Sequence, residues 1–406
     1  MRSVRDYAVV TGAYWVFTVT DGALRMLVLL HLNTLGYKPL EIASLFLFYE
    51  VFGVVTNFVG GWLGSRFGLR STLFSGLSLQ LAALWILARE PAALTLPIVM
   101  IAQGLSGVAK DLTKMSSKSY IKLVVPEGDS KGLMKWVAIL TGSKNTLKGV
   151  GFFVGGALLS RVGFRGACLW MAGAIGVALL VSVSLLPGAM GKAKAKLGLG
   201  AVVSRDPRIN WLSVARLFLF GSRDVWFVLA LPIYFSTVLG WSFSRTGGFL
   251  ALWVIGYGIV QALAPRYLRS HDAPDAARLG WWTAALVVPL AAIMAALGMG
   301  WSPSITLTVG LAIFGVVFAT NSAVHSFLIV HYAEEDKVSL AVGFYYMANA
   351  AGRLLGTLLS GALFQWGGEG QTGLLWCIGC SIVLVVLSRI ACTPLRQAEV
   401  RAPAVA

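Results

Sequence analysis

The chain has 406 residues, of which 57% are hydrophobic and 12% charged. A soluble domain carries about 25% charged residues, so the composition excludes an ordinary globular enzyme and points to a protein embedded in a bilayer. The net charge of +16 does not by itself signal nucleic acid, because cytoplasmic loops of membrane proteins collect Lys and Arg.

A spanning helix needs about 20 mostly apolar residues, and twelve such stretches follow one another. The first, 7–31, comes after Arg2 and Arg5 and contains Asp21 and Arg25. Its length and these charges separate it from a cleaved leader. The second, 41–63, holds Glu50, and the third covers 70–88. The fourth, 95–122, is the unusual one: Lys110, Lys114 and Lys118 recur every four residues, with Asp111, Ser116 and Ser117 among them. Side chains at that spacing drift only about 40° per step and share one helix face. They form a ladder of donors along a permeation path, or else Lys118 and Lys122 snorkel to the surface. The fifth stretch, 132–160, puts Lys144 and Lys148 on one face; the sixth is 166–187.

The stretch 188–208 is basic and rich in Gly and Ala, and reads as a cytoplasmic linker between an N-terminal bundle (1–187) and a C-terminal one (209–406). The second bundle is expected to contain 209–238, with Arg216, Arg223 and Asp224, and then 245–268 and 279–299. It continues with 303–330, with His325, then 338–366, with Arg353, and 372–392. Adjacent on a helix, Arg223 and Asp224 point about 100° apart, which predicts partners on other helices. Asp21 and Arg25 at i,i+4 read as a helical ion pair or as ligand and proton groups. Arg216 reads as structural, near the end of its helix. His325 is either a packing residue or a functional one.

Nine cations fall within the spans: Arg25, Lys110, Lys114, Lys118, Lys144, Lys148, Arg216, Arg223 and Arg353. Only Asp21, Glu50, Asp111 and Asp224 oppose them there, an intramembrane excess of five positive charges. A cation facing lipid at the bilayer centre costs roughly 2.5–3.5 kcal/mol. Nine such groups would cost on the order of 25 kcal/mol, more than a protein's usual net stability. They must therefore face a wet cavity or a partner, and a cavity with surplus positive charge suits a multiply charged anion. Lys binds phosphate as a point charge, whereas Arg grips two oxygens at once. The expected substrate groups are Arg25, Lys110, Lys114, Lys144, Lys148, Arg223 and Arg353, unless ion pairs with Asp111 or Glu50 absorb some of them. Glu50, Asp224, Asp21 and His325 are the candidates for proton coupling. Glu50 and Asp224 rank ahead of Asp21, because neither has an obvious cation on its own helix face.

Loop charge sets orientation. With the N-terminus inside, nineteen loop cations face the cytoplasm, and only Lys38, Arg89, Arg161, Arg165 and Arg245 face outward. Both termini are thus expected to be cytoplasmic, in a cell inner membrane. Cys168, Cys377, Cys380 and Cys392 lie in apolar runs and form no disulfide framework. HExxH, GxSxG and GxxxxGK[ST] are all absent, so no enzyme, cofactor, metal or nucleic-acid role is expected.

The halves repeat. Asp21 and Asp224 lie 203 apart; Leu35-Gly36-Tyr37 returns as Leu239-Gly240-Trp241, and Gly156-Ala157-Leu158 as Gly361-Ala362-Leu363. Lys148 and Gly151 fall on Arg353 and Gly356. A parallel repeat of six helices resembles the major facilitator superfamily, an all-α membrane fold of twelve helices with its site at the midplane. Gly61-Trp62-Leu63-Gly64-Ser65-Arg66-Phe67-Gly68-Leu69-Arg70 resembles the superfamily's signature loop between helices 2 and 3, with Ser65 where the usual Asp stands. Three longer blocks, TDGALRMLVLLH (20–31), AKDLTKMSSK (109–118) and ILTGSKNTLKG (139–149), resemble the organoarsenical efflux permeases of arsenic-resistance operons (the ArsJ group). That resemblance implies a monomeric exporter of 1-arseno-3-phosphoglycerate. It also implies a functional link to glyceraldehyde-3-phosphate dehydrogenase, which makes the compound when arsenate replaces phosphate. Without the resemblance, an organophosphate or other organic-anion permease accounts for the charges equally well.

Overall fold

The computed structural model describes residues 2–56, 69–90, 93–124, 130–187, 206–268, 275–332 and 338–401. Most of the Gly61–Arg70 signature, linker residues 188–205 and the side chain of Lys118 lie outside the described residues. Within them the chain is helical at each of the twelve expected spans, in order. The first four are α1 (Arg2–Thr34), α2 (Pro39–Thr56), α3 (Leu69–Leu87) and α4 (Leu96–Val124). One run, Ser130–Leu185, is divided by Gly163 into α5 (130–162) and α6 (164–185). Then come α7 (Pro207–Thr237), α8 (Phe243–Tyr267), α9 (Ala276–Gly298), α10 (Pro303–Tyr332), α11 (Val338–Trp366) and α12 (Gln371–Arg401).

Local chemistry explains the punctuation. Asp206 caps α7 by accepting from the Arg208 N–H at 2.8 Å, and Pro207 occupies the first turn, where its missing N–H costs nothing. Helix α7 breaks after Phe227 because Pro232 cannot donate to the Val228 carbonyl, and α9 breaks at Leu286 ahead of Pro289 for the same reason. The repeated glycines of the sequence, Gly36 and Gly240, both adopt left-handed backbone (φ 84° and 65°) and end their helices alike.

The chain forms two compact units. The first comprises Met1–Tyr37, Ser44–Leu197 and Trp241–Ile255; the second comprises Lys38–Ala43, Gly198–Gly240 and Gly256–Ala406. In the first, α1 and α5 run side by side at backbone contact: a Cβ on Gly22 would stand 2.7 Å from the Lys148 carbonyl, and Gly151 and Gly155 lie against Val19 and Ala23. The chain then turns at Gly163 (φ 67°), and α6 returns along α1. Phe164 stacks on His31 at 4.2 Å near one end of α1, while the Leu185 carbonyl accepts from Arg5 at 3.2 Å near the other.

The second unit repeats this device with α7 and α11. A Cβ on Gly356 would stand 2.8 Å from the Gly221 carbonyl, and Gly352 lies against Leu217. Small residues let membrane helices approach this closely. Its core packs Leu212, Leu279, Val324, Leu328 and Leu395. Outward faces carry Trp85, Trp170, Leu180, Leu252, Trp281 and Ile305, all at least 60% exposed. In water such faces would aggregate, whereas in a bilayer they meet lipid. Eight stretches among the described residues are long and apolar enough to span a membrane, and the chain is a multi-pass membrane protein.

Candidate functional site

In the first unit, charges from α1, α2 and α4 meet midway along their helices. Arg25 donates to Glu50 Oε1 at 2.6 Å, with its guanidinium 5.1 Å from the Phe46 ring and 5.2 Å from the Tyr49 ring. Asp21 accepts from the Tyr49 hydroxyl at 2.7 Å. The intrahelical Asp21–Arg25 pair is therefore not formed: at i,i+4 both side chains find better partners on α2. Tyr49 also carries Lys110, whose ammonium lies 4.0 Å from the ring centroid.

Asp111 is fully buried and holds two lysines of its helix, Lys114 at 2.8 Å and Lys110 at 4.0 Å. The ladder is thus anchored on an acid of its own helix. Gly53 of α2 faces this pair; a Cβ there would lie 3.3 Å from both Asp111 Oδ2 and Lys110 Nζ. Lys148 of α5 lies 5.7 Å from the Phe152 ring, and Lys144 is half-buried one turn before it. A tyrosine inside an apolar run gives no sequence signal, so the role of Tyr49 as the hub of Asp21 and Lys110 was not legible.

In the second unit, Asp224 is bridged by two arginines. Arg223 Nε donates to Oδ1 at 2.6 Å and Arg353 Nε to Oδ2 at 3.2 Å. The expectation that the partners of Arg223 and Asp224 lie on other helices holds for Asp224, which Arg353 reaches from α11. It is corrected for Arg223, whose long guanidinium stem folds back over its neighbour. The expectation that Glu50 and Asp224 have no cation on their own helix face stands for Glu50, whose partner Arg25 comes from α1. It is corrected for Asp224, which Arg223 of its own helix bonds alongside Arg353 of α11. Arg25 and Arg353 lie on other helices, beyond what one helix face reveals.

His325 and Arg216 are buried in the same unit. Arg216 donates to Asn349 Oδ1 at 2.9 Å and to Ser322 Oγ at 3.0 Å, while neither ring nitrogen of His325 has a hydrogen-bond partner. Arg216, expected near a helix end, is 5% exposed and sits nine residues inside α7.

Chemically, each unit presents more cations than carboxylates at mid-helix. Arg25, Lys110, Lys114, Lys144 and Lys148 stand against Asp21, Glu50 and Asp111, and Arg216, Arg223 and Arg353 stand against Asp224. A mobile anion can replace a carboxylate as partner to one of these cations, provided the displaced carboxylate takes up a proton or another cation, because a buried charge left unpaired is costly.

The family model of the Major Facilitator Superfamily matches residues 10–327. No curated protein matches the sequence. Among solved structures, the chain is similar to a POT family transporter in complex with a thioalcohol-conjugated peptide (TM-score 0.75, 15% identity, 95% of each chain). A bacterial homologue of the iron transporter ferroportin, in its inward-facing state, gives TM-score 0.71 at 16% identity over 97% of this chain and 99% of that one. The nucleoside transporter NupG gives 0.72 at 12% over 98% and 100%. Identities this low speak for the fold alone. The family match covers most of the length; the chain belongs to the Major Facilitator Superfamily of membrane transporters.

Proposed function

We propose that this transporter exports 1-arseno-3-phosphoglycerate across the inner membrane by alternating access, as a monomer, and so confers arsenate resistance. One observation carries the proposal. The three blocks that resemble the organoarsenical permeases contain the first unit's mid-helix charges except Glu50: Asp21 and Arg25 in 20–31, Lys110, Asp111 and Lys114 in 109–118, and Lys144 and Lys148 in 139–149. The proposed cargo is a three-carbon anion with an oxyanion at each end. Lysines supply point charges for one end, and arginines, which grip two oxygens together, suit the other. Arg223 and Arg353 are the arginines offered for that role, and Glu50, Asp224, Asp21 and His325 remain the groups proposed for proton exchange.

The decisive assay is growth of an arsenate-sensitive bacterium carrying this chain, with and without glyceraldehyde-3-phosphate dehydrogenase co-expression. Resistance should require both proteins. Resistance independent of the dehydrogenase, or none with both, would replace this reading by that of an organophosphate permease, which the surplus of intramembrane cations equally supports. Uptake of labelled 3-phosphoglycerate into vesicles would then identify it.

A further inference from the structure

The second unit contains a cation that its own carboxylates leave unmatched. Arg216 lies nine residues in from Pro207, about 13 Å along α7. The partners of its guanidinium are all neutral: Asn349 and Ser322 by hydrogen bond, with the Phe220 and Tyr345 rings at 4.0 and 5.1 Å. Four described carboxylates of the unit are engaged elsewhere: Asp224 by Arg223 and Arg353, Asp206 by Arg208, Glu399 by Tyr332, and Asp275 by the Arg278 N–H. A buried charge without a counter-charge is costly, and neutral acceptors return only part of that cost.

Two further features point the same way. Three donors converge on one hydroxyl: Ser322 Oγ lies 3.0 Å from Arg216 Nη1, 3.1 Å from the Tyr257 hydroxyl and 3.4 Å from Gln261 Nε2. A hydroxyl has two lone pairs, so three donors compete for the acceptor capacity of this one atom. Beside it, His325 is fully buried with neither ring nitrogen bonded. Its ring lies 6.3 Å from that of Tyr345, which in turn lies 5.1 Å from the Arg216 guanidinium. A largely buried cluster of donors with a surplus positive charge lacks one thing, an acceptor that is also an anion.

We infer that Arg216 is an anion-recognition residue, gripping one tetrahedral oxyanion of the transported molecule with Ser322 and His325 as flanking groups. This rests on the anion-transport reading above and adds a residue to it. The alternative is a neutral staple between α7, α10 and α11, and the two make opposite predictions.

The test uses the full-length protein in detergent, with thermal unfolding measured with and without 3-phosphoglycerate or inorganic phosphate as probes. For wild type the anion should raise Tm. Arg216→Met should match or exceed the wild-type Tm without anion, having lost an unmatched charge, and show no anion-dependent gain. Arg216→Lys should bind 3-phosphoglycerate at least 10-fold more weakly, since its ammonium cannot fork. Ser322→Ala, which removes one hydroxyl and leaves the helix intact, should weaken binding about 3- to 10-fold.

A lower anion-free Tm for Arg216→Met together with full anion affinity in Ser322→Ala overturns the assignment, as does the absence of any wild-type response to either probe. If the resistance assay fails while the Arg216-dependent gain persists, the cargo named above falls and this site stands. Resistance that survives Arg216→Lys unchanged sinks this site alone.

Discussion

Replacing Asp224 by Asn removes the carboxylate that Arg223 and Arg353 share. The Asp224 side chain is 1% exposed and the two arginines are 15% and 16% exposed, so water screens little of the interaction. Taking away one partner of a buried pair costs about 3–5 kcal/mol. The amide keeps one oxygen acceptor, which places the loss near 3 kcal/mol. For a folding unit of 150–250 residues each kcal/mol moves Tm by about 2–4 °C, so Asp224→Asn should lower Tm by roughly 6–12 °C. Adding Arg353→Gln removes one of the two stranded charges, and the double variant should regain part of that loss, with a coupling energy of about 0.5–3 kcal/mol. Unfolding would be followed by tryptophan fluorescence in one detergent at one scan rate. An Asp224→Asn protein within 2 °C of wild type, or a double variant whose loss is the sum of the singles, would show that Asp224 does not hold these arginines.

Four other outcomes are expected. Lys114→Ala should abolish efflux from everted vesicles at near-normal expression, while Lys196→Ala should be silent; equal losses would remove the site specificity from the charge argument. Gly22→Ala forces a methyl against the Lys148 carbonyl and should cost about 1–3 kcal/mol, whereas Gly12→Ala, with nothing within 4 Å of its Cβ, should not lower Tm. Tags at residues 195 and 406 should be accessible only from the cytoplasm and a tag near 300 only from outside, and the reverse pattern would invert the topology. An anion that recruits Arg25 or Arg353 competes with Glu50 or Asp224 for it. Glu50→Gln or Asp224→Asn should therefore flatten the pH dependence of efflux while Asp21→Asn leaves it, and unchanged profiles in the first two would favour uncoupled export.

The spans were legible because the bilayer imposes length and hydrophobicity on each helix separately. So was the repeat, and Gly151 and Gly356, 205 residues apart, make equivalent crossings in their respective units. Pairing of charges was not legible. Within one helix, Asp21 and Arg25 looked like partners, yet Tyr49 and Glu50 of α2 take them, and nothing in 7–31 encodes which face α2 will present. Arg216 was undervalued for a related reason. Its place near the start of an apolar run suggests a helix end, whereas the helix begins at Pro207 and carries it well inside. Lys110 and Lys114 were correctly grouped by spacing, but Asp111, at i+1 to one and i−3 to the other, was the residue that explains why.

The elbow at Gly163 has a mechanical consequence. A single residue joins α5 to α6, so the joint offers only two soft torsions and no slack. Sliding of α5 along its axis cannot be absorbed by a loop and must push or pull α6 by nearly the same amount. Lys144 and Lys148 ride on one arm of this lever, and the other arm ends at Leu185, tied to Arg5 at the start of α1. An axial shift of α5 is thereby passed through the elbow to Leu185, whose carbonyl is bonded to Arg5 at the start of the very helix that carries Asp21 and Arg25.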